Sequence, residues 1–223
     1  MVLFLLLLSG ICWTIVYIEL IFLGFKEKTY GMPFIALAFN FTWEIVYCYI
    51  DFKSGFSNVQ TWINLIWFLL DVFIVCTYLI YGKKYFPKHT SRKYFMPWTI
   101  IIFLMSFALQ YYFIIEFGDL WKVYSAFIQN LIMSILFINM LVNRNDIKGQ
   151  SLTIAINKWI GTLAPTILFG IIRGSKLILV LGIFCSVFDI IYIYFLNSVR
   201  KMPFNLSKSS KIYNSDSTTS FKA

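Results

Sequence analysis

The sequence predicts an all-α, polytopic membrane protein built as a bundle of seven transmembrane helices. Three observations carry that prediction. Of the 223 residues 60% are hydrophobic and only 13% charged, whereas soluble domains average roughly 45–50% and about 25%. The apolar residues gather in runs of about 20, the length that crosses a ~30 Å hydrocarbon core at 1.5 Å per residue. The Lys and Arg residues collect between those runs, where they set topology.

The predicted spans are roughly 2–24, 33–52, 62–82, 96–115, 121–142, 151–172 and 177–197. The first run has no basic leader and is longer than a signal-peptide core, so it is read as a retained helix. Residues 1–199 form one transmembrane domain. Residues 200–223 are polar, Ser/Thr-rich and basic, and are read as a flexible cytoplasmic tail. The 1–2, 3–4 and 5–6 connections and the tail hold fourteen of the nineteen Lys and Arg, and the opposite side holds four. Positive residues favour the cytoplasmic face, so the N-terminus is expected outside or in the lumen and the C-terminus inside. The membrane would be the endoplasmic reticulum in a eukaryote or the inner membrane in a bacterium.

Composition also excludes function classes. The net charge of +9 lies in the connections, which speaks for topology and against a nucleic-acid groove. Cys12, Cys48, Cys76 and Cys185 all fall inside apolar runs without a CxxC pair, and read as core packing. His89, in a basic connection, is the only histidine, so histidine-dependent triads and multi-histidine metal sites are nearly excluded. No metal and no cofactor is expected.

Within the spans lie Glu19, Glu44, Asp71 and Asp189. A carboxylate at mid-bilayer costs roughly 2.5–3.5 kcal/mol on insertion scales, so each needs a reason. Counted from the inner boundary, Glu44 and Asp71 lie at about 16 Å, Asp189 at about 12 Å and Glu19 at about 8 Å. Asn40, Glu44 and Tyr47 recur at helical spacing on one face of "LAFNFTWEIVYCYI". Asn64, Trp67 and Asp71 do the same in the third span. Gln129, Asn130 and Ser134 follow in the fifth, and Asp189 with Tyr192 in the seventh. Lipid cannot solvate these groups, so their faces should converge on an apolar, aromatic-walled chamber. Asp71 could instead be held structurally by Asn64 or by the amides of the fifth helix. Glu19 reads as structural, and Lys158 is expected to snorkel toward the inner interface.

A carboxyl in such a dry chamber is a candidate proton donor. Facing an apolar substrate, it suits protonation of an alkene or epoxide, with aromatic faces and exclusion of water sustaining the carbocations that follow. Acids at mid-depth equally suit a small proton-coupled transporter, and spacing alone does not choose.

The segments "GFKEKTYGMPFIALAFNFTWEIVY", "INLIWFLLDVFIV", "YSAFIQNLIMSILFI", "GQSLTIAINKWIGTL" and "FDIIYIYFL" resemble the integral-membrane terpene cyclases of fungal meroterpenoid and indole-diterpene pathways. These are the pyripyropene-type and paspaline-type cyclases. The likeness covers most of residues 24–197, and the N-terminal helix and tail add little to it. It implies a seven-helix protein that cyclises a linear prenylated epoxide or alkene by protonation, without a metal. Its partners would be a lipophilic prenylated small molecule and membrane lipid. The glutamate of that family's WE motif falls on Glu44, after Trp43, and the aspartate of its last helix on Asp189. The resemblance thus implies that Glu44, in a network with Asp189, supplies the proton. Asn40, Trp43, Asn64, Trp67, Asp71, Gln129, Asn130 and Tyr192 are the candidate substrate-binding residues.

The DxDD and DDxxD motifs of soluble cyclases are missing. "NRNDIKGQ" superficially resembles the NDxxD of membrane prenyltransferases, but Gly149 stands where the second aspartate would be, so no diphosphate–Mg²⁺ site is expected. A retinal photoreceptor fits poorly, because the seventh span has no lysine for a Schiff base.

Overall fold

The computed structural model describes residues 1–54, 59–87, 91–117, 121–144 and 146–201, without the side chains of 54, 59, 60 and 121. Among the described residues are seven α-helices and no strand. They are α1 (Val2–Lys26), α2 (Phe34–Ser54), α3 (Val59–Tyr81), α4 (Phe95–Phe117), α5 (Trp121–Asn143), α6 (Leu152–Pro165) and α7 (Lys176–Lys201). His89 and the tail beyond residue 201 lie outside the described residues.

Six helical stretches among the described residues are long and apolar enough to cross a membrane, and α2 is not among them. Asn40, Thr42, Glu44 and Asp51 dilute it. Packing explains why this is tolerated. α2 is bordered by α3, α4 and α5, and from Phe34 to Asp51 only Tyr49 is exposed. A helix enclosed by protein on most sides needs no lipid-compatible face, so α2 can carry these polar residues. α4 is the converse: it buries only the stripe Phe95, Thr99, Ile102, Ser106 and Gln110, and apolar side chains cover its remaining surface.

Six helices form a ring in the order α1, α3, α2, α5, α7, α6, and α4 packs outside it against α2 and α5. The half of the ring away from the N-terminus is solid. Val16, Leu20, Leu37, Ile74, Phe137 and Leu196 are among the buried residues that fill it. Its connections also interlock. The Arg144 guanidinium lies 4.2 Å from both the Tyr30 and Tyr85 rings and donates to the Tyr30 carbonyl at 2.8 Å. The Gly149 amide donates to Glu27 Oε2 at 2.6 Å. Gly149 has φ +75° and its Cα side faces Gly31, where a Cβ would meet backbone at 3.0 Å. The position that breaks the NDxxD-like pattern is therefore a glycine demanded by its left-handed backbone conformation and by the close approach of the Tyr30–Gly31 backbone.

α6 ends in a π-helical stretch, Thr166–Ile172, entered through Pro165. Proline has no N–H, so the Gly161 carbonyl one turn earlier loses its intrahelical donor. The Ser9 hydroxyl of α1 donates to that carbonyl at 2.7 Å, and Trp13 covers Gly161 where any side chain would collide. Ser9→Ala leaves the carbonyl unpaired and should cost about 1 kcal/mol, read as a lower melting midpoint in detergent with unchanged expression.

Candidate active site

The half of the ring nearer the N-terminus surrounds a half-open cavity of about 460 Å³. α1 contributes Leu6, Ser9, Gly10, Trp13 and Tyr17, so the cavity follows α1 from Leu6 to Tyr17, about 16 Å of helix axis. α2 contributes Asn40, Trp43 and Glu44, α3 contributes Ile63 and Trp67, and α5 contributes residues from Lys122 to Met133. Thr162, Pro165, Phe169 and Arg173 close the wall from α6 and the π-helical stretch. A π-helical turn carries an extra residue and is a common device at functional sites; here both Phe169 and Arg173 belong to the wall.

Glu44 sits at the inner end of this cavity, 2% exposed. Its Oε1 accepts from the Tyr17 hydroxyl at 3.3 Å, and its Oε2 has no partner among the described residues. Asn40, one turn earlier on α2, donates through Nδ2 to Tyr17 Oη at 2.7 Å and to Asp71 Oδ2 at 2.6 Å. α1, α2 and α3 are thereby tied by one chain: Asp71 and Tyr17 each accept from Asn40, and Tyr17 passes its own proton toward Glu44. Trp67 packs edge-on against Tyr17 with centroids 6.1 Å apart, and its Nε1 donates to Thr14 at 3.1 Å. Trp43 Nε1 donates to Ser125 Oγ at 3.1 Å.

Of the sequence-predicted site residues, Asn40, Trp43, Glu44, Trp67, Gln129 and Asn130 line the cavity. Asn64, Asp71, Asp189 and Tyr192 are buried but do not. Asp71 joins Glu44 indirectly, and its partner is Asn40, not Asn64 or the amides of α5. Asn64 donates instead to Asp51 Oδ2 at 2.7 Å, and Asp51 forms an ion pair with Lys122 at 3.1 Å. Gln129 accepts from Gln110 Nε2 at 2.9 Å, and Tyr192 donates to Gln150 at 3.1 Å.

Asp189 belongs to a separate centre. Lys158 does not snorkel: its side chain is 0% exposed, and its Nζ lies 2.8 Å from Asp189 Oδ1 and 2.6 Å from Ser134 Oγ. Lys158 sits mid-helix, and its ammonium is held between Asp189 of α7 and Ser134 of α5. The pair lies one turn below the cavity wall. Ser134 donates to the Asn130 carbonyl, and Thr162 donates to the Lys158 carbonyl. Asn130 Nδ2 then donates to Thr162 Oγ1 at 2.7 Å. With its own proton committed to Lys158, Thr162 can only accept from Asn130, which leaves Asn130 Oδ1 as the atom without a partner.

Tyr17, a cavity residue hydrogen-bonded to Glu44, is one that helical spacing does not single out. The only signal in the sequence is the cluster Trp13, Thr14 and Tyr17 in a mostly aliphatic first span, and none of the three is an acid. Among the described residues no group of three His, Cys, Asp or Glu side chains gathers as a metal site.

The family model of Pyr4-like transmembrane terpene cyclases matches residues 1–202, the N-terminal helix included. The Pyr4-family terpene cyclase mfmH of Annulohypoxylon moriforme is 26% identical over 74% of this chain and 68% of its own length. The terpene cyclase pyr4 of Aspergillus fumigatus is 23% identical over 88% of this chain and 86% of its own. The terpene cyclase janB of Penicillium janthinellum is 27% identical over 69% and 63%. No solved structure matches the chain.

Proposed function

From the premise that the chain belongs to the Pyr4-like transmembrane terpene cyclases, enzymes of terpenoid biosynthesis, we infer that it cyclises a linear prenylated epoxide or alkene by protonation. The observation that carries this reading is Glu44: a buried carboxyl on the wall of a largely apolar cavity, oriented through one oxygen by Tyr17 and unpartnered at the other. A carboxylate charge without a countercharge is costly in such a place, so Glu44 holds its proton until a substrate takes it.

The electron bookkeeping closes without a co-reactant. Glu44 transfers its proton to the epoxide oxygen, or to the terminal alkene carbon. The π electrons of the next double bond attack the electron-poor carbon, and each ring-forming C–C bond moves the cation along the chain. Loss of a C–H proton to a base or water ends the cascade, and a proton returns to Glu44. The product is an isomer of the substrate. Trp13, Trp43, Trp67 and Phe127 offer aromatic faces to the moving cation, worth about 0.5–2 kcal/mol each when desolvated. Asp71 and Asn40 act at one remove, by fixing Tyr17 and through it Glu44. Asp189 acts through its ion pair with Lys158, which ties α7 to α6 behind the cavity wall.

Membranes containing the protein should convert a linear prenylated epoxide or alkene into a ring product of unchanged mass, detected by chromatography and mass spectrometry. Acid-dependent solute flux in proteoliposomes with no covalent product would instead assign the same acids to a transporter.

A further inference from the structure

Glu44 occupies one end of the cavity, and two cations occupy the other. The end of the bundle holding the N-terminus is poor in basic residues: its helix ends and connections carry Lys53, Lys122, Arg173 and Lys176. Two of these four, Lys122 and Arg173, line the cavity. They are not equivalent. Lys122 is neutralised by Asp51 at 3.1 Å and lies over the Tyr47 ring at 4.6 Å. Arg173 has no carboxylate partner among the described residues. Its guanidinium lies 4.8 Å from the centroid of Phe169, itself a wall residue. Between the two ends the wall is largely apolar, with Leu6, Ile63, Phe127 and Phe169 among its residues and Ser9 a polar exception.

We propose that the cavity binds its substrate in one direction, with the prenyl terminus at Glu44 and an anionic oxygen of the head group at Arg173. The substrate class is therefore a prenylated acid: a carboxylate, or an enol or phenol acidic enough to ionise. This assignment rests on the cyclase reading above. A guanidinium presents a planar fork of donors that matches two oxygens or one charged oxygen, and stacking on Phe169 orders it before the ligand arrives. A head group held there leaves the chain no room to reverse, because the opposite end is closed by Tyr17 and the packed half of the bundle.

Binding is measured with Glu44→Gln protein in nanodiscs, so that turnover does not consume the probe. The probes are 3-farnesyl-4-hydroxybenzoic acid carrying a terminal epoxide and its methyl ester. The acid should bind about tenfold tighter than the ester, the size expected of a charge-assisted contact. Arg173→Gln should abolish that preference, and Arg173→Lys should keep part of it. Equal binding of acid and ester, binding of neither, or a preference that survives Arg173→Gln would each overturn the proposal. A preference present in phosphatidylcholine nanodiscs and erased by phosphatidylglycerol would also overturn it, because the cations would then belong to lipid phosphate. The binding comparison stands apart from the cyclase reading: a head-group preference without any ring product from the Glu44 enzyme would sink that reading and leave the directional site intact.

Discussion

Glu44→Gln should express at wild-type level, keep its melting midpoint within a few degrees and lose at least about 10²–10⁴-fold in turnover, the range general-acid catalysis supplies. Glutamine is the right probe because its volume matches, and its amide oxygen can still accept from Tyr17 as Glu44 Oε1 does at 3.3 Å. What disappears is only a group that can give up a proton. Tyr17→Phe separates donor from positioning. It removes the hydroxyl that touches Glu44 and receives Asn40, so Glu44 keeps its proton but loses its orientation. Turnover should fall by roughly tenfold to a hundredfold, short of the Glu44→Gln loss, since the hydroxyl contributes one hydrogen bond to geometry. Turnover of Glu44→Gln equal to wild type, at equal abundance, would remove Glu44 from the chemistry.

The largest effect on stability belongs to Lys158→Met. It leaves Asp189, 1% exposed, without its countercharge at 2.8 Å, and breaking a buried pair from one side costs about 3–5 kcal/mol. Abundance in membranes should fall sharply, and the detergent melting midpoint should drop. The double variant Lys158→Met, Asp189→Leu should recover most of that loss, because a buried ion pair replaced by apolar side chains of similar volume is often neutral in stability. Asp189→Asn strands the Lys158 ammonium in the same way, so its turnover is meaningful only per folded molecule. A double variant no more stable than Lys158→Met alone would show that the uncompensated charge is not what the single change costs.

The sequence made the spans legible because twenty-residue apolar runs between basic connections have few other meanings. It also made one face of α2 legible. Asn40, Glu44 and Tyr47 share a face by helical spacing, and all three are buried. Spacing stops at the edge of its own helix, however. It placed Asn64 and Asp71 on one face of α3, but their partners come from α2: Asp71 meets Asn40, and Asn64 meets Asp51. Lys158 departs from its expected position for the same reason. Snorkelling is the expectation for a lone lysine in a span, and only the packing of α7 on α6 brings a carboxylate within 2.8 Å of it. Hydropathy underrated α2 because it scores a helix as if lipid surrounded it, while α2 is surrounded by α3, α4, α5 and the cavity. The acid of the cavity was readable from its cost. Its tether, Tyr17, was not, since a tyrosine inside a membrane span carries no comparable penalty.

Cyclisation in D₂O tests the central claim, protonation from an exchangeable acid, most directly. Membranes equilibrated in D₂O are given a linear prenylated alkene and its terminal epoxide, and the ring products are analysed by mass spectrometry after washing with H₂O. The account predicts products isomeric with their substrates. An alkene-derived ring should carry one carbon-bound deuterium at the protonated terminus, whereas an epoxide-derived ring should carry a hydroxyl whose deuterium washes out. An alkene-derived ring free of carbon-bound deuterium, or a ring product whose composition differs from its substrate by a lost leaving group, would contradict it.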